Sequence, residues 1–409
     1  MLKWRLRIGG EKILPDDVKF IISTLEAAGY EGFAVGGCVR DVVRGVAPKD
    51  WDIATSVAPA QVKALFSRTV DTGIKHGTVT VLLGNAHYEV TTYRIDGEYS
   101  DNRHPKSVIF SGNIEEDLSR RDFTMNAIAY NETAGFIDPF GGREDITKGV
   151  IRCVGEARHR FSEDALRMLR AVRFGAVTGF IVDCEILDAI SDLKQNLSYV
   201  SPERIREEMG KLLCGDYPQA LRLLNDTGLL QLILQGRKYG IDLEKVVEWL
   251  HICPAVEPMR LTLFLEWAGG ECEKILRDLR FDNRTIREVG QYVEFLQHDL
   301  LCNRYEIKKL LRVLQHEYFE NLLILKGIIQ PCRQSELDEI RQEACDILEK
   351  GECFTLKALD INGNDLAKIG IAQGKTMGDT LEHLLDAVMR DPSIKGQARQ
   401  LEWVADFMK

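Results

Sequence analysis

Several features are missing from this sequence of 409 residues, and each absence excludes a class of protein. No apolar run approaches the length of a membrane span, and the first residues lack the apolar segment of a secretory signal. We therefore expect a cytoplasmic protein with no membrane partner. The 10 cysteines form no CxxC pair and the histidines do not cluster, which argues against a disulfide framework or a zinc site. The absence of a repeat with a fixed period disfavours a solenoid.

Basic residues are outnumbered as well: 53 Lys and Arg face 63 Asp and Glu, so the formal net charge is -10. This charge argues against wholesale coating of nucleic acid. It permits a local basic groove, because charges more than about 10 Å apart are screened at physiological salt. The composition, 45% hydrophobic and 28% charged, is that of an ordinary globular protein, and the length predicts two to four domains.

Short helical and strand patterns alternate in the first third of the chain. Residues 15–30 open with a proline and two acids and predict a helix, while residues 31–35 and 76–95 predict strands. The polar segment 94–110 has no periodicity and predicts a long loop. From about residue 156 onward strand patterns nearly vanish. The predicted fold class is α+β, with a small mixed sheet in an N-terminal head followed by helices.

Two carboxylates, Asp50 and Asp52, follow the glycine turn of Gly36 and Gly37. On an extended strand they would project from one face, where a cation relieves their repulsion. Oxygen ligands favour Mg²⁺, which binds one or two carboxylates together with substrate phosphates. Glycines let backbone N–H groups approach phosphate, and Arg40 stands one turn into the next helix. Nucleotidyl or phosphoryl transfer fits this pattern; two solvated acids and an ordinary turn are the alternatives.

Further polar residues extend the candidate site. Glu89, in a predicted strand, either completes a carboxylate set on an adjacent strand or is a surface acid. In the segment 119–127, the arginines Arg120 and Arg121 suit a triphosphate and Asp122 or Asn126 can bind ribose hydroxyls, unless the charged residues form a surface salt bridge. Glu89 and the polar residues of this segment are candidates for the same chemistry.

A predicted helix with Ser162 as its N-cap carries Asp164 and Arg167 at spacing i, i+3. The simple alternative is a salt bridge between these two residues. Alternatively, Asp164 accepts from the amino group of cytosine or adenine while Arg167 donates to the ring nitrogen. Guanine and uracil present the reversed order and would be rejected. Arg170 and Arg173 drift about 60° per step around the helix, so they are expected to reach triphosphate or RNA, or to brace the helix.

Five motifs in series make the sequence resemble the class II tRNA nucleotidyltransferase and poly(A) polymerase family, most of all its bacterial CCA-adding members. They span residues 33–174 and are GGCVRD, DWD, RRDFTMNA, DPFGG and EDALRMLRAVRF. The resemblance implies template-independent addition of C, C and A to the 3′ end of tRNA from CTP and ATP, with Mg²⁺ as cofactor and release of pyrophosphate. It also implies a seahorse shape with four parts: a catalytic head (1–150), a nucleotide-selecting neck (151–215), a body (216–290) and a tRNA-binding tail (291–409).

The same resemblance implies roles for individual residues. Asp50 and Asp52 match the metal ligands, Gly37 and Arg40 match nucleotide-binding positions, and Arg121 and Asp122 match ribose and phosphate contacts. Asp164, Arg167, Arg170 and Arg173 match residues that template or hold the nucleotide. Segment 94–110 resembles a flexible loop associated with adding the terminal A. Poly(A) polymerase, an enzyme adding only CC or only A, and a non-catalytic RNA-binding protein on this fold stay open as alternatives, and the oligomeric state is unknown.

Overall fold

The computed structural model of the chain describes residues 13–74, 77–96, 108–237, 240, 242–314 and 316–409. The chain divides near residue 240 into two compact units, with residues 278–280 grouped with the first. These are called the N-terminal and the C-terminal unit below. Within the described ranges, no helix is both long and apolar enough to cross a lipid bilayer.

A mixed sheet forms the centre of the N-terminal unit. The strands of the chain are β1 (Gly32–Val35), β2 (Asp52–Thr55), β3 (Thr69–Gly73), β4 (Thr78–Leu83), β5 (Ala86–Thr92), β6 (Arg94–Asp96), β7 (Val108–Phe110), β8 (Ala129–Asn131), β9 (Gly135–Ile137), β10 (Val150–Ile151) and β11 (Ile181–Val182). Seven of them make one sheet in the order β3-β4-β5-β2-β1-β8-β9. Only β2 and β5 pair in parallel within this sheet, so the predicted mixed sheet is confirmed.

The register of β2 determines where its first residue lies. Asp52 is paired with Val35 on antiparallel β1 and with Glu89 on parallel β5. Val35 is the last residue before the glycine turn at Gly36. The start of β2 therefore lies beside that turn, with Glu89 on the adjacent strand as predicted.

Eleven helices of the described residues belong to the N-terminal unit. They are α1 (Asp16–Ala27), α2 (Gly37–Arg44), α3 (Pro59–Leu65), α4 (Ile114–Ser119), α5 (Gly142–Lys148), α6 (Ala157–Glu163), α7 (Leu166–Thr178), α8 (Cys184–Leu193), α9 (Pro202–Leu213), α10 (Leu221–Asp226) and α11 (Leu229–Ile233). The first of them buries Val18, Ile21, Ile22 and Leu25, one face of a helix, as its sequence predicts. Helices α7 and α9 pack against each other.

The prediction of a single helix beginning at Ser162 is wrong. Helix α6 ends at Glu163, Asp164 is extended with φ -142° and ψ 104°, and α7 begins at Leu166. The Asp164 carboxylate accepts the Leu166 N–H at 3.1 Å, a local bond that competes with a continuous helix. The hydroxyl of Ser162 donates to the Arg158 carbonyl instead of capping a helix.

The long loop predicted over residues 94–110 is shorter than expected. Its ends form strands β6 and β7, which pair antiparallel with Asp96 opposite Val108. The intervening residues 97–107 lie outside the described ranges. The loop prediction therefore fails at both ends and stays a prediction for the middle.

The described part of the C-terminal unit is helical. Its helices are α12 (Leu243–Ile252), α13 (Glu257–Leu265), α14 (Cys272–Asp278), α15 (Asn283–Leu296), α16 (Arg304–Val313), α17 (His316–Ile329), α18 (Gln334–Glu349), α19 (Gly363–Lys368), α20 (Lys375–Arg390) and α21 (Gln397–Phe407). Apolar side chains of the last three, among them Leu366, Leu384 and Val404, form a buried cluster. The boundaries predicted at residues 150, 215 and 290 stay predictions.

Candidate active site

A cleft of about 610 Å³ opens in the N-terminal unit, lined by residues of α2, α7 and α9 and by the start of β2. It gathers both predicted metal ligands, Asp50 and Asp52. All eight predicted nucleotide-binding residues line it too: Gly37, Arg40, Arg121, Asp122, Asp164, Arg167, Arg170 and Arg173. Residues scattered over more than 120 positions in the sequence therefore share one surface. Glu89 is exposed on β5 and does not line the cleft, so its catalytic role stays a prediction.

The cleft is positively charged although the chain is acidic. Eight Arg or Lys side chains line it against four Asp side chains. A concave surface of one charge sign concentrates ligands of the opposite sign. This is the local basic groove that the composition permitted, and it suits polyanions such as a nucleoside triphosphate or RNA.

The turn before α2 requires glycine at one position. Gly36 has φ +76°, and a Cβ there would lie 2.7 Å from Nη1 of Arg121. A Cβ on Gly37 would meet nothing closer than 3.7 Å, the distance to Nη2 of Arg40. Gly36 is therefore the residue that the backbone conformation and the close approach of an arginine require. Both glycines line the cleft, so the N-terminus of α2, with its unpaired amides, faces it.

The two acids reach the cleft from different local structures. Strand β2 begins at Asp52, so Asp50 precedes it, and the argument from alternation along one strand is wrong in detail. Desolvation, then the negative charges of Glu89 and Asp50, raise the pKa of Asp52, and Arg121 opposes them. Within the described residues, no three His, Cys, Asp or Glu side chains form a metal-binding group. Two carboxylates alone suit an ion that also takes substrate oxygens as ligands.

A chain of hydrogen bonds crosses the floor of the cleft from α2 to α7. Arg40 donates from Nη1 to the Asn126 side-chain oxygen at 2.9 Å, and Asn126 donates from Nδ2 to Asp122 at 3.0 Å. The second oxygen of Asp122 accepts from Nε of Arg170 at 2.8 Å. Burial raises the pKa of Asp122, but Arg170 and the Asn126 bond outweigh it and hold the pKa below its ordinary value. Asp122 is thus an ionised group that orients two neighbours.

Asp164 and Arg167 take partners other than each other. The Asp164 carboxylate accepts from both terminal nitrogens of Arg204, at 3.2 Å and 2.8 Å. Arg167 is buried, pairs with Glu163 at 2.5 Å and donates to the carbonyl of Arg120 at 3.0 Å. The simple i, i+3 salt bridge is therefore replaced by two separate pairs, and both residues face the cleft.

Phe174 provides an aromatic support for three cleft arginines. The guanidinium of Arg173 lies 3.5 Å from its ring centroid, and those of Arg40 and Arg170 lie at 5.2 Å and 5.4 Å. Buried Glu208 accepts from Nε of Arg173 at 2.8 Å and pairs with Arg170 at 3.6 Å. These contacts fix the guanidinium planes, as a site for phosphate groups requires.

Sequence reasoning missed several residues of the cleft. Arg120 and Asn126 stand in the motif from which only Arg121 and Asp122 were assigned to the site, and Phe174 ends the last motif. Helix α9 contributes Arg204 and Lys211. Together with Glu208 between them, they occupy positions i, i+4 and i+7 of the helix. That spacing on an amphipathic helix is a signal that could have been used.

Three family models match successive parts of the chain. They are the poly A polymerase head domain over residues 32–152, the probable RNA and SrmB-binding site of polymerase A over 179–239, and the putative tRNA nucleotidyltransferase domain 2 over 259–402. The CCA-adding enzyme of Lactiplantibacillus plantarum is 37% identical over 397 residues, which cover 96% of this chain and 95% of that protein. The chain belongs to the CCA-adding enzyme family. The predicted family and enzyme class, a tRNA nucleotidyltransferase, are confirmed.

Two further relatives agree with this assignment. The CCA-adding enzyme of Geobacillus kaustophilus is 37% identical over 386 residues, 90% of each chain. The crystal structure of the CCA-adding enzyme of Bacillus stearothermophilus in complex with CTP superposes with a TM-score of 0.83 at 32% identity, covering 97% of this chain and 98% of that one. The predicted α+β fold is thereby confirmed.

Proposed function

We propose that the cleft of the N-terminal unit is the active site at which this chain adds C, C and A to the 3′ end of tRNA from CTP and ATP, without a nucleic-acid template. That the chain performs this reaction follows from its family, and the prediction is confirmed. One observation supports the location: a single cleft joins two carboxylates, an arginine-rich wall and the pair Asp164 and Arg167.

Asp50 and Asp52 would hold the divalent metal ion, and Mg²⁺ is the ion that their oxygen chemistry favours. The residues fit such a group, since two carboxylates line one cleft together with arginines that suit the phosphates of a substrate, which supply the remaining oxygen ligands. When bound, Mg²⁺ neutralises charge on the triphosphate and on the reacting oxygens. Glu89, paired in register with Asp52, would add negative charge beside the ion.

The arginine wall would hold and orient the triphosphate. Arg121 donates from Nη2 to buried Asp117 at 3.1 Å, and Arg40 is held by Asn126 and Asp41. Guanidinium groups fixed in this way need little reorganisation when charge develops at the α-phosphate. The 3′-hydroxyl of tRNA gives up its proton to water and attacks that phosphorus. The bond between the α-phosphorus and the oxygen that bridges it to the β-phosphate breaks, and pyrophosphate leaves with that oxygen. Positioning and charge neutralisation supply most of the catalysis in such transfers.

Base choice is assigned to Asp164 and Arg167. A carboxylate only accepts and a guanidinium only donates, so together they match the amino group and adjacent ring nitrogen of cytosine or adenine. Uracil and guanine would place a carbonyl against the carboxylate. We place this reaction in the cytoplasm, as the sequence predicts.

The test uses purified protein, tRNA transcripts that end before CCA, and each labelled nucleotide alone or in mixtures. CTP alone should add two residues, and CTP with ATP should add three and then stop. EDTA should abolish all incorporation, and added Mg²⁺ should restore it. Long A tails from ATP alone would indicate a poly(A) polymerase, and incorporation limited to CC or to A would indicate a partial enzyme. Binding of tRNA without incorporation would favour a non-catalytic protein.

A further inference from the structure

Helix α9 forms one wall of the cleft. No residue of this helix has been given a role in the proposed reaction. Its residues Arg204, Glu208 and Lys211 lie on one face, and the first and last of them line the cleft. Glu208 is buried, accepts a hydrogen bond from Arg173 and forms an ion pair with Arg170, both on α7. Arg204 donates to Asp164 in the break between α6 and α7. Helix α9 thus contacts the residues that are assigned to the nucleotide through two kinds of ion pair. In one an acid of α9 binds arginines of α7, and in the other an arginine of α9 binds an acid.

The bonds to Asp164 leave its two oxygens unequal. Oδ1 accepts from the Leu166 N–H at 3.1 Å and from Nη1 of Arg204 at 3.2 Å. Oδ2 accepts from Nη2 of Arg204 at 2.8 Å, its only donor among the described residues. Because each carboxylate oxygen has two lone-pair sites, Oδ1 is satisfied and Oδ2 retains one. The carboxylate can therefore offer one further acceptor position in a fixed plane.

The backbone of Asp164 is also fixed, so the direction of that acceptor depends on the side chain. Its N–H donates to the Arg160 carbonyl at 3.2 Å, and its carbonyl accepts the Arg167 N–H at 3.0 Å. With the main chain held at both ends and Oδ1 bound to the Leu166 N–H, the remaining freedom is rotation of the carboxylate about that single contact. A bidentate guanidinium removes it, which a single-point contact does not.

We propose that Arg204 is a positioning residue for nucleotide selection: it holds Asp164 so that a single carboxylate lone pair faces the amino group of cytosine or adenine. This inference rests on the proposed function, since it requires Asp164 to contact the base. Among the described residues, the acceptor of Arg204 is the Asp164 carboxylate, so Arg204 is expected to act through that group. Its loss should therefore weaken the choice of base more than the rate of the chemical step with the correct nucleotide.

The test compares Arg204→Ala and Arg204→Lys with wild type in single-turnover incorporation of all four nucleotides. For Arg204→Ala, the preference for CTP over UTP should fall by about tenfold, the size of one lost base contact. Arg204→Lys should recover only part of it, because an ammonium cannot form the fork. The matched control is Arg158→Ala, which removes an exposed arginine paired with Asp192 and should leave the preference unchanged.

A double-mutant cycle with Asp164→Ala separates this inference from the proposed function. If Arg204 acts through Asp164, Arg204→Ala should change the preference no further in the Asp164→Ala background. An Asp164→Ala variant with intact preference would overturn the base-reading role itself. Relaxed selection in Asp164→Ala together with unchanged selection in folded Arg204→Ala would overturn the positioning role of Arg204 alone, as would an equal loss of activity with all four nucleotides.

Discussion

Replacing Asp164 by alanine separates the contribution of this carboxylate to stability from its contribution to base choice. The side chains of Asp164 and Arg204 are only 17% and 25% exposed, so removing the carboxylate leaves the Arg204 charge partly buried without its acceptor and costs about 1–3 kcal/mol. Loss of the bond to the Leu166 N–H removes a helix cap worth about 1 kcal/mol. The variant should thus be less stable by about 2–4 kcal/mol and still fold.

Its nucleotide preference should change as well. A well-placed polar contact to a base discriminates by about 1–3 kcal/mol, which is roughly 5- to 150-fold in rate. We therefore expect Asp164→Ala, and likewise Arg167→Ala, to incorporate UTP or GTP measurably while wild type rejects them. Single-turnover assays with each of the four nucleotides measure the preference, and urea unfolding measures the stability.

The control variant is Asp192→Ala, which removes the exposed partner of Arg158 outside the cleft. It should unfold with a free energy within about 1 kcal/mol of wild type and keep the preference for C and A. If Asp164→Ala behaves in the same way, the carboxylate is a structural cap and base choice lies elsewhere.

Three other perturbations test separate parts of the proposal. Asp50→Ala or Asp52→Ala should abolish incorporation of both C and A while filter binding of tRNA stays within a few fold; normal turnover in either would remove the metal assignment. Deletion of residues 96–105 should spare both C additions and impair the terminal A, and equal losses would make the segment merely structural. Asp122→Asn should lower the free energy of unfolding by about 2–3 kcal/mol at pH 7, because Arg170 loses its charged acceptor. Since the pKa of Asp122 is lowered in the folded state, its contribution is present above the unfolded pKa of about 3.9 and is lost as the pH falls further; a difference between variant and wild type that does not shrink in urea titrations below pH 4 would contradict this account.

Local patterns predicted much of the fold. The face of α1 and strands β1, β4 and β5 were identified because hydrophobic periodicity and β-branched residues specify them locally. Strands β3, β8 and β9 were missed, since they are short and their pairing depends on partners distant in sequence. The break at Asp164 was also missed, because a carboxylate that caps the next helix looks in the sequence like any helix residue.

The candidate site was also predicted in part from the sequence. Residues within recognisable motifs, such as Asp52 and Arg121, line the cleft as expected. Their partners were not found: Arg204 and Glu208 belong to a helix some 40 residues further along the chain, and only its packing against α7 brings them to the cleft. Sequence spacing within one helix carries no information about which other helix it faces.

The most direct test of the central claim is a crystal structure of this protein with Mg²⁺, CTP and a tRNA acceptor stem that ends before CCA. The triphosphate should lie between the carboxylates of Asp50 and Asp52 and the arginines of the cleft. The cytosine amino group should lie within hydrogen-bond distance of Asp164, and the ring nitrogen should accept from Arg167. A cytosine bound in the cleft with its Watson–Crick edge against other residues, or against the RNA, would contradict selection by the protein.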